Sequence, residues 1–482
     1  MSRRSHVRND VEQFETDDRR YVWHPFTQMQ DYEDERPLII ERAKGAYLYD
    51  VRGKRYLDGV SSLWVTVHGH RKRALDAAIR QQLSKVAHST LLGISNVPAV
   101  KLARMLVERA PKGLAKVFYS DNGSTAVEVG LKMAFQYWQQ HRSGLHKGRT
   151  KFVCFENAYH GDTIGSVGIG GIDLFHKMYR PLLMDAIRVP APYCYRCPQS
   201  QRGDRPRVFE SDNSGKQRSE HAKYGVCPHM VCLEEVERAL EAHAHEVAAL
   251  VIEPLVFAAG GIIVQPQGYL SRIRELCTRC GIFMIADEVA VGVGRTGTLF
   301  ACEHEGVTPD ILAVAKGLSG GYLPVAATLA TQEIYDGFLG SYEEARALFH
   351  GHTYTGNPLA CAAAVANLEI FDRERTLKKV QQKIEFLADL LQPLAELPHV
   401  GEVRQRGLMV GIELVKDKKS REPYEYGEKV GIKVIKEARR RGMIIRPLGN
   451  VIVLMPHLTL SRAQLVRMVD ITRASIEAVT QT

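Results

Sequence analysis

"GIFMIADEVAVGVGRTGTLFACEHEGVTPDILAVAKG" runs from Gly281 to Gly317. It contains two short, continuous apolar runs, and each stops at a charged residue: Asp287 after the first, Lys316 after the second. Apolar runs of this length without polar alternation read as strands covered on both faces, as in a parallel sheet under helices. Ligands of open parallel sheets bind outside the carboxyl ends of the strands. A carboxylate at such an end is either a hydrogen-bonded structural acid or the partner of a cationic ligand atom. A lysine there either snorkels to the surface or is an amine whose basicity is lowered by desolvation for imine chemistry. Each residue taken singly leaves both readings open.

Working outward, "AKVFYS", "KFVCFE" and "AALVIEP" repeat the strand form and alternate with longer helical segments. This alternation over residues 72–345 predicts a large α/β domain with a mostly parallel sheet. "GAYLYDVRGKRYLDGV" (Gly45 to Val60) alternates around a turn at Arg52-Gly53 and predicts a hairpin. "VRQRGLMVGIELV" and "IIRPLGNVIVLMP" predict an antiparallel sheet with helices on one side. A smaller α+β domain is therefore expected from both chain ends, residues 21–71 and 346–482. Residues 1–20 are charged and aperiodic and read as a mobile tail. Residues 190–232 form a polar, charge-rich insertion that interrupts the plan.

The chain has 482 residues and a net charge of 64 − 55 = +9. No nucleic-acid-binding signature accompanies that charge, so the basic runs read as solvated surface. No uncharged apolar run approaches the ~18 residues needed to span a bilayer, and the polar start lacks the apolar core of a signal peptide. Nine scattered cysteines favour reduced thiols and a cytoplasmic protein over a disulfide framework. Cys194, Cys197, Cys227 and Cys232, with His229, have ligand types suited to structural zinc, but the spacing fits no standard finger. Unligated thiols are the preferred reading, and no metal is assigned.

In "SDNGSTAVEVGLKMAFQYW" a strand ends near Ser120 and a small-residue loop opens a helix with Val127, Leu131, Ala134, Phe135 and Trp138 on one face. Backbone N–H groups and the positive dipole end at such a helix start suit a phosphate, with Gly123 permitting close approach and Ser124 and Thr125 adding hydroxyls. Read alone, the loop is first an ordinary capped helix. A phosphate cradle, a carboxylate and an amine, each at a strand end, together match the phosphate, ring nitrogen and aldehyde of pyridoxal 5′-phosphate.

With those residues in hand, the chain resembles class III pyridoxal-phosphate aminotransferases of fold type I from about Tyr21 to the C-terminus. Within the class it looks most like the diaminopelargonic acid aminotransferases of biotin synthesis, on "WHPFTQM", "DGVSSLWVTVHGH", "AYHGDTIG" and "HGHTYTGNPLACAAA". The resemblance implies transamination of 8-amino-7-oxononanoate to 7,8-diaminononanoate by a homodimer with shared active sites. It implies that Lys316 is the Schiff-base lysine and proton carrier, Asp287 the partner of the ring nitrogen, and Tyr159 the ring-stacking aromatic. Gly123 and Ser124 match the phosphate loop. His352 and Thr353 match a cofactor-binding segment in which Thr353 serves the other subunit's phosphate. Arg446 matches the arginine for the substrate carboxylate; Phe26, Leu63, Trp64 and Gly351 match the substrate pocket.

The departures bear on substrates. Ornithine and γ-aminobutyrate enzymes read Glu-Pro-x-x-x-Glu, where this chain has Ala258, which argues against 2-oxoglutarate. Leu63 and Phe26 stand where S-adenosylmethionine users commonly carry tryptophan and tyrosine, so S-adenosylmethionine and L-lysine are both retained as donors. Another ω-aminotransferase, acting on β-alanine or a diamine with pyruvate, is the alternative function, ahead of an aminomutase or decarboxylase of the same fold.

Overall fold

The computed structural model describes residues 2–144, 146–197 and 230–481. Seven strands form the main sheet: β1 (Leu114–Ser120), β2 (Lys151–Phe155), β3 (Ile187–Val189), β4 (Val247–Ile252), β5 (Phe283–Asp287), β6 (Ile311–Val314) and β7 (Ala326–Thr331). Their order is β1-β7-β6-β5-β4-β2-β3. β3, β2, β4, β5 and β6 pair in parallel, whereas β7 is antiparallel to both β6 and β1. Only short 3-10 structure, Lys316–Ser319, lies between β6 and β7. That link carries no crossover helix to return the chain in parallel, so β7 comes back antiparallel.

The central strands are buried on both faces, as their unbroken apolar runs require; every residue of β4, β5 and β6 is buried. Helix α1 (Gly123–Gln139) packs on the sheet through Val127, Leu131, Ala134 and Trp138, all buried. Phe135, expected on that face, is 40% exposed. It lies eight residues beyond Val127, about 80° round the helix, at the edge of the apolar stripe.

A second layer draws on both chain ends. Ile40–Lys44, Tyr47–Asp50 and Arg55–Asp58 form antiparallel hairpins, and Met443–Ile444 joins Arg55–Asp58 in parallel. Val400–Arg406, Met409–Asp417, Val451–Leu454, Arg446–Leu448 and Glu422–Pro423 form an antiparallel sheet. Helix Pro358–Arg373 packs against helices Arg73–Leu83 and Val97–Arg109, so this stretch adjoins the large domain although it follows residue 346.

Residues 2–21 are helical rather than aperiodic tail. Glu15 is buried and takes Arg52 at 2.8 Å and Arg36 at 3.1 Å, and Val11 is also buried. Two buried residues four positions apart anchor one face of an otherwise polar helix, a signal too sparse to show as amphipathic periodicity. At the start of the polar insertion, Tyr193 and Arg196 bond the buried Glu413 of the antiparallel sheet. Cys227 and His229 lie outside the described residues. Among the described residues, no cluster of three or more His, Cys, Asp or Glu is arranged to hold a metal ion.

Candidate active site

Five parallel strand ends converge on one cavity of about 490 Å³. The segment after β1 brings Asn122, Gly123 and Ser124. That after β2 brings Tyr159, His160, Asp162 and Thr163. β4 is followed by Glu253, β5 ends on Asp287, and β6 is followed by Lys316. Trp64 and the Ala258-Ala259 turn close the wall. Convergence at the carboxyl ends follows from the parallel sheet, because every parallel strand delivers its exit loop to the same edge.

At the helix start, Asn122 caps α1 and pairs reciprocally with Thr125. Thr125 therefore serves the helix and does not line the cavity. The Ser124 hydroxyl is engaged by Thr163, at 2.7 Å from its hydroxyl and 3.1 Å from its N–H. Gly123 and Ser124 stand in the first turn, where backbone N–H groups lack intrahelical partners. A Cβ on Gly123 would sit 2.4 Å from Val289 Cγ1, so only glycine leaves this approach open.

Asp287 is buried, and each oxygen has a partner: Oδ2 lies 2.7 Å from His160 Nδ1, and Oδ1 accepts the Val289 N–H at 3.0 Å. Burial alone would lower the pKa of His160, but its hydrogen bond and charge interaction with Asp287 outweigh that, and the pKa is raised. The same hydrogen bond orients the Asp287 carboxylate.

Glu253 is buried and accepts N–H groups from Tyr159 at 3.1 Å and Ala258 at 2.9 Å. It ties two walls of the cavity together. Burial raises its pKa to about 7, helped by Asp287 and opposed by His160. The Tyr159 hydroxyl donates to Asp162 Oδ2 at 2.7 Å, and burial pushes its pKa up. Lys316 has a φ of 25°, and Asn367 braces the following turn by donating to the Gly317 and Leu318 carbonyls at 3.0 Å. Burial lowers the pKa of Lys316, with Asp287, Glu253 and Asp162 acting in opposition. Its Nζ lies 5.6 Å from the Trp64 ring centroid.

The remaining sequence-derived residues stand outside this lining. Arg446 lies 5.9 Å from the Phe26 ring centroid, and Phe26 meets Phe175 edge-on at 5.2 Å. Phe175 in turn meets Tyr159 at 6.2 Å. Leu63 is half exposed, and Gly351 and Thr353 are exposed. His352 Nδ1 lies 2.7 Å from Asp121 Oδ2. His160, Glu253, Asp162 and Thr163 are site residues that the sequence reading did not single out. Glu253 carries the same signal as Asp287, a carboxylate immediately after an apolar strand. Asp162 and Thr163 follow Tyr159 within one quoted segment, but nothing local marks them for the site.

The class III aminotransferase family model matches residues 29–476. The chain belongs to the class III aminotransferases. This aminotransferase is 55% identical over 464 residues, 96% of the chain and 81% of its relative, to adenosylmethionine-8-amino-7-oxononanoate aminotransferase of Nitratidesulfovibrio vulgaris. The solved structure of the enzyme of the same name from Methanocaldococcus jannaschii superposes with a TM-score of 0.88 at 42% identity, covering 97% of this chain and 99% of that one. An amine transaminase from an uncultivated Pseudomonas species, solved in its PLP-bound form, is 37% identical with a TM-score of 0.85, covering 95% and 99%. The fold is that of the fold type I PLP-dependent transferases, and the cofactor of this aminotransferase is pyridoxal 5′-phosphate. The residues present fit it: a helix start open only because residue 123 is glycine, a buried carboxylate held by a histidine, and a partly buried lysine share one cavity.

Proposed function

We propose that this aminotransferase converts 8-amino-7-oxononanoate to 7,8-diaminononanoate in biotin synthesis, with S-adenosylmethionine as amino donor. The observation that carries the chemistry is the meeting of Lys316, Asp287 and the Gly123-Ser124 helix start in one cavity. The substrate reading is supported by the name that relatives at 55% and 52% identity share. That name also favours S-adenosylmethionine over L-lysine.

When bound, the cofactor supplies an aldehyde to take up the amine and a protonated ring to accept the electron pair of the deprotonated carbon. Gly123 and Ser124 would hold its phosphate, Asp287 its ring nitrogen, and Tyr159 one ring face. Lys316 would hold the aldehyde carbon between turnovers and, once displaced, carry the proton to and from the amine-bearing carbon. Burial lowers the pKa of Lys316, the direction that this proton-carrying role requires. His160 keeps Asp287 oriented. In the net exchange the donor's C–N bond becomes C=O with one water consumed. The acceptor's C7 carbonyl becomes C–N with one water released, so no external oxidant is required.

Arg446 takes the acceptor's carboxylate in a charge-assisted contact, beside Phe26. Leu63 and Trp64 border the approach. Ala258 presents no carboxylate, in keeping with an enzyme that does not alternate with 2-oxoglutarate. Gly351, His352 and Thr353 stand on an exposed segment suited to completing the site of a second subunit, so the working form is a homodimer. No helix among the described residues is long and apolar enough to cross a membrane, consistent with a cytoplasmic enzyme acting on small molecules.

Purified enzyme incubated with 8-amino-7-oxononanoate and either S-adenosylmethionine or L-lysine tests this reading. Diaminononanoate is expected with S-adenosylmethionine. Product with lysine alone reassigns the donor. Turnover of β-alanine or diamines with pyruvate, and none of 8-amino-7-oxononanoate, replaces the function by the broader ω-aminotransferase reading.

A further inference from the structure

The turn that carries Trp64 is bent against the preferences of L-residues. Ser61, Ser62 and Trp64 have φ values of 52°, 59° and 67°. Each lies in the left-handed region, which strains non-glycine residues and persists only where the surroundings over-determine it. Three such residues in four positions therefore need a dedicated clamp.

The clamp is centred on Asp58. This residue ends strand Arg55–Asp58 and is completely buried. Its two carboxylate oxygens accept the Ser62 N–H at 3.0 and 2.9 Å, and Oδ1 also accepts the Val60 N–H at 3.3 Å. His70 Nε2 donates to Oδ2 at 2.8 Å, which fixes the carboxylate in turn. Two further ties complete the arrangement. Ser61 Oγ donates to the Met455 carbonyl at 2.7 Å, and the Gly59 N–H donates to the Ile444 carbonyl at 2.9 Å. A Cβ at Gly59 would lie 2.7 Å from Ile445 Cγ2, so the turn presses on the strand that leads to Arg446.

The outcome of this bend is the placement of one ring. Trp64 is buried in the cavity wall 5.6 Å from Lys316, with its Nε1 unpaired among the described residues. We propose that Asp58 is a positioning residue for the reaction. Clamped by His70, it holds the strained Ser61-Ser62 turn, sets Trp64 against Lys316, and ties that wall to the strand before Arg446. It acts through Trp64 and touches no reactant. The role rests on the aminotransferase reading of the cavity.

The test pairs kinetics with a signal from cofactor-free protein. Acrylamide quenching is read in a Trp23→Phe background, which removes an exposed tryptophan, and referenced to the same protein carrying Trp64→Phe. Asp58→Asn leaves a melt that remains cooperative, makes Trp64 more quenchable, and raises the KM of both substrates by about tenfold, with a smaller change in kcat, as expected of a pocket wall displaced by about an ångström. His70→Phe does the same, whereas His70→Gln, which keeps an N–H donor near Asp58, restores wild-type quenching and KM. Should Asp58→Asn fail to fold, the contrast between His70→Phe and His70→Gln reads the same clamp. An Asp58→Asn or His70→Phe protein that loses stability while Trp64 quenching and KM stay at wild-type values overturns the proposal, as does a His70→Gln protein no better than His70→Phe. Intact quenching differences in an enzyme that does not turn over 8-amino-7-oxononanoate would count against the substrate reading and leave the clamp standing.

Discussion

His160 Nδ1 lies 2.7 Å from Asp287 Oδ2, and both side chains are buried; His160 follows β2 and Asp287 ends β5, the two strands that flank β4. A buried carboxylate with a single side-chain donor depends on that donor. Removing one partner of a buried pair typically costs about 3–5 kcal/mol. His160→Phe is expected to lower the urea midpoint correspondingly and to weaken pyridoxal 5′-phosphate binding, measured by titration of the cofactor-free protein. A variant with wild-type midpoint and affinity refutes the supporting role of His160.

Lys316→Ala is expected to abolish turnover, with kcat down at least ~10³-fold, since it removes both the covalent anchor and the proton carrier. Borohydride treatment followed by peptide mass analysis checks the anchor directly. Cofactor mass should appear on the peptide containing Lys316 in the wild type and be absent in the variant. Cofactor fixed to another lysine would reassign the site.

Glu253 keeps its proton to about pH 7 in the folded protein, against 4.5 for an ordinary glutamate. Its folded pKa is raised, so the stability linked to this proton is full below about pH 4.5 and drains as pH rises through 7. Glu253→Gln removes the drain. Whatever constant offset the amide introduces, the variant should gain on the wild type by about 1–3 kcal/mol between pH 5 and pH 8. Denaturant melts at several pH values check this; parallel profiles would show that Glu253 is ionised throughout.

Arg446→Ala is expected to raise the KM for 8-amino-7-oxononanoate by about 10–100-fold, the loss of one charge-assisted contact, with a smaller change in kcat. Burial lowers the pKa of Arg446, which makes its guanidinium costly to leave unpaired and favours an anionic ligand. An unchanged acceptor KM moves the carboxylate site elsewhere.

Much of the site was written in local pattern. Asp287 and Lys316 announce themselves as charges that end unbroken apolar runs, and Gly123-Ser124 as a small turn opening an amphipathic helix. Neither signal needs a partner to be read, because strand burial and helix periodicity are properties of a few consecutive residues. Glu253 carries the same mark, a carboxylate directly after the apolar run "AALVI".

Other features had no local mark. That β7 returns antiparallel depends on the short 3-10 link after Lys316 and on the gap between β1 and β6 that β7 fills. The anchoring of helix Ser2–Tyr21 depends on Arg36 and Arg52 meeting Glu15. The left-handed turn before Trp64 depends on Asp58, His70 and a carbonyl from Met455, almost four hundred positions away in the chain. The sequence by itself determined which residues stand at strand ends and helix starts, and so the chemistry available. Tertiary structure decided which of them meet and how each is held, because a buried carboxylate is fixed by partners beyond its own turn, as His160 fixes Asp287 and Glu253 ties the Tyr159 wall, and no short window of sequence contains both members of those pairs.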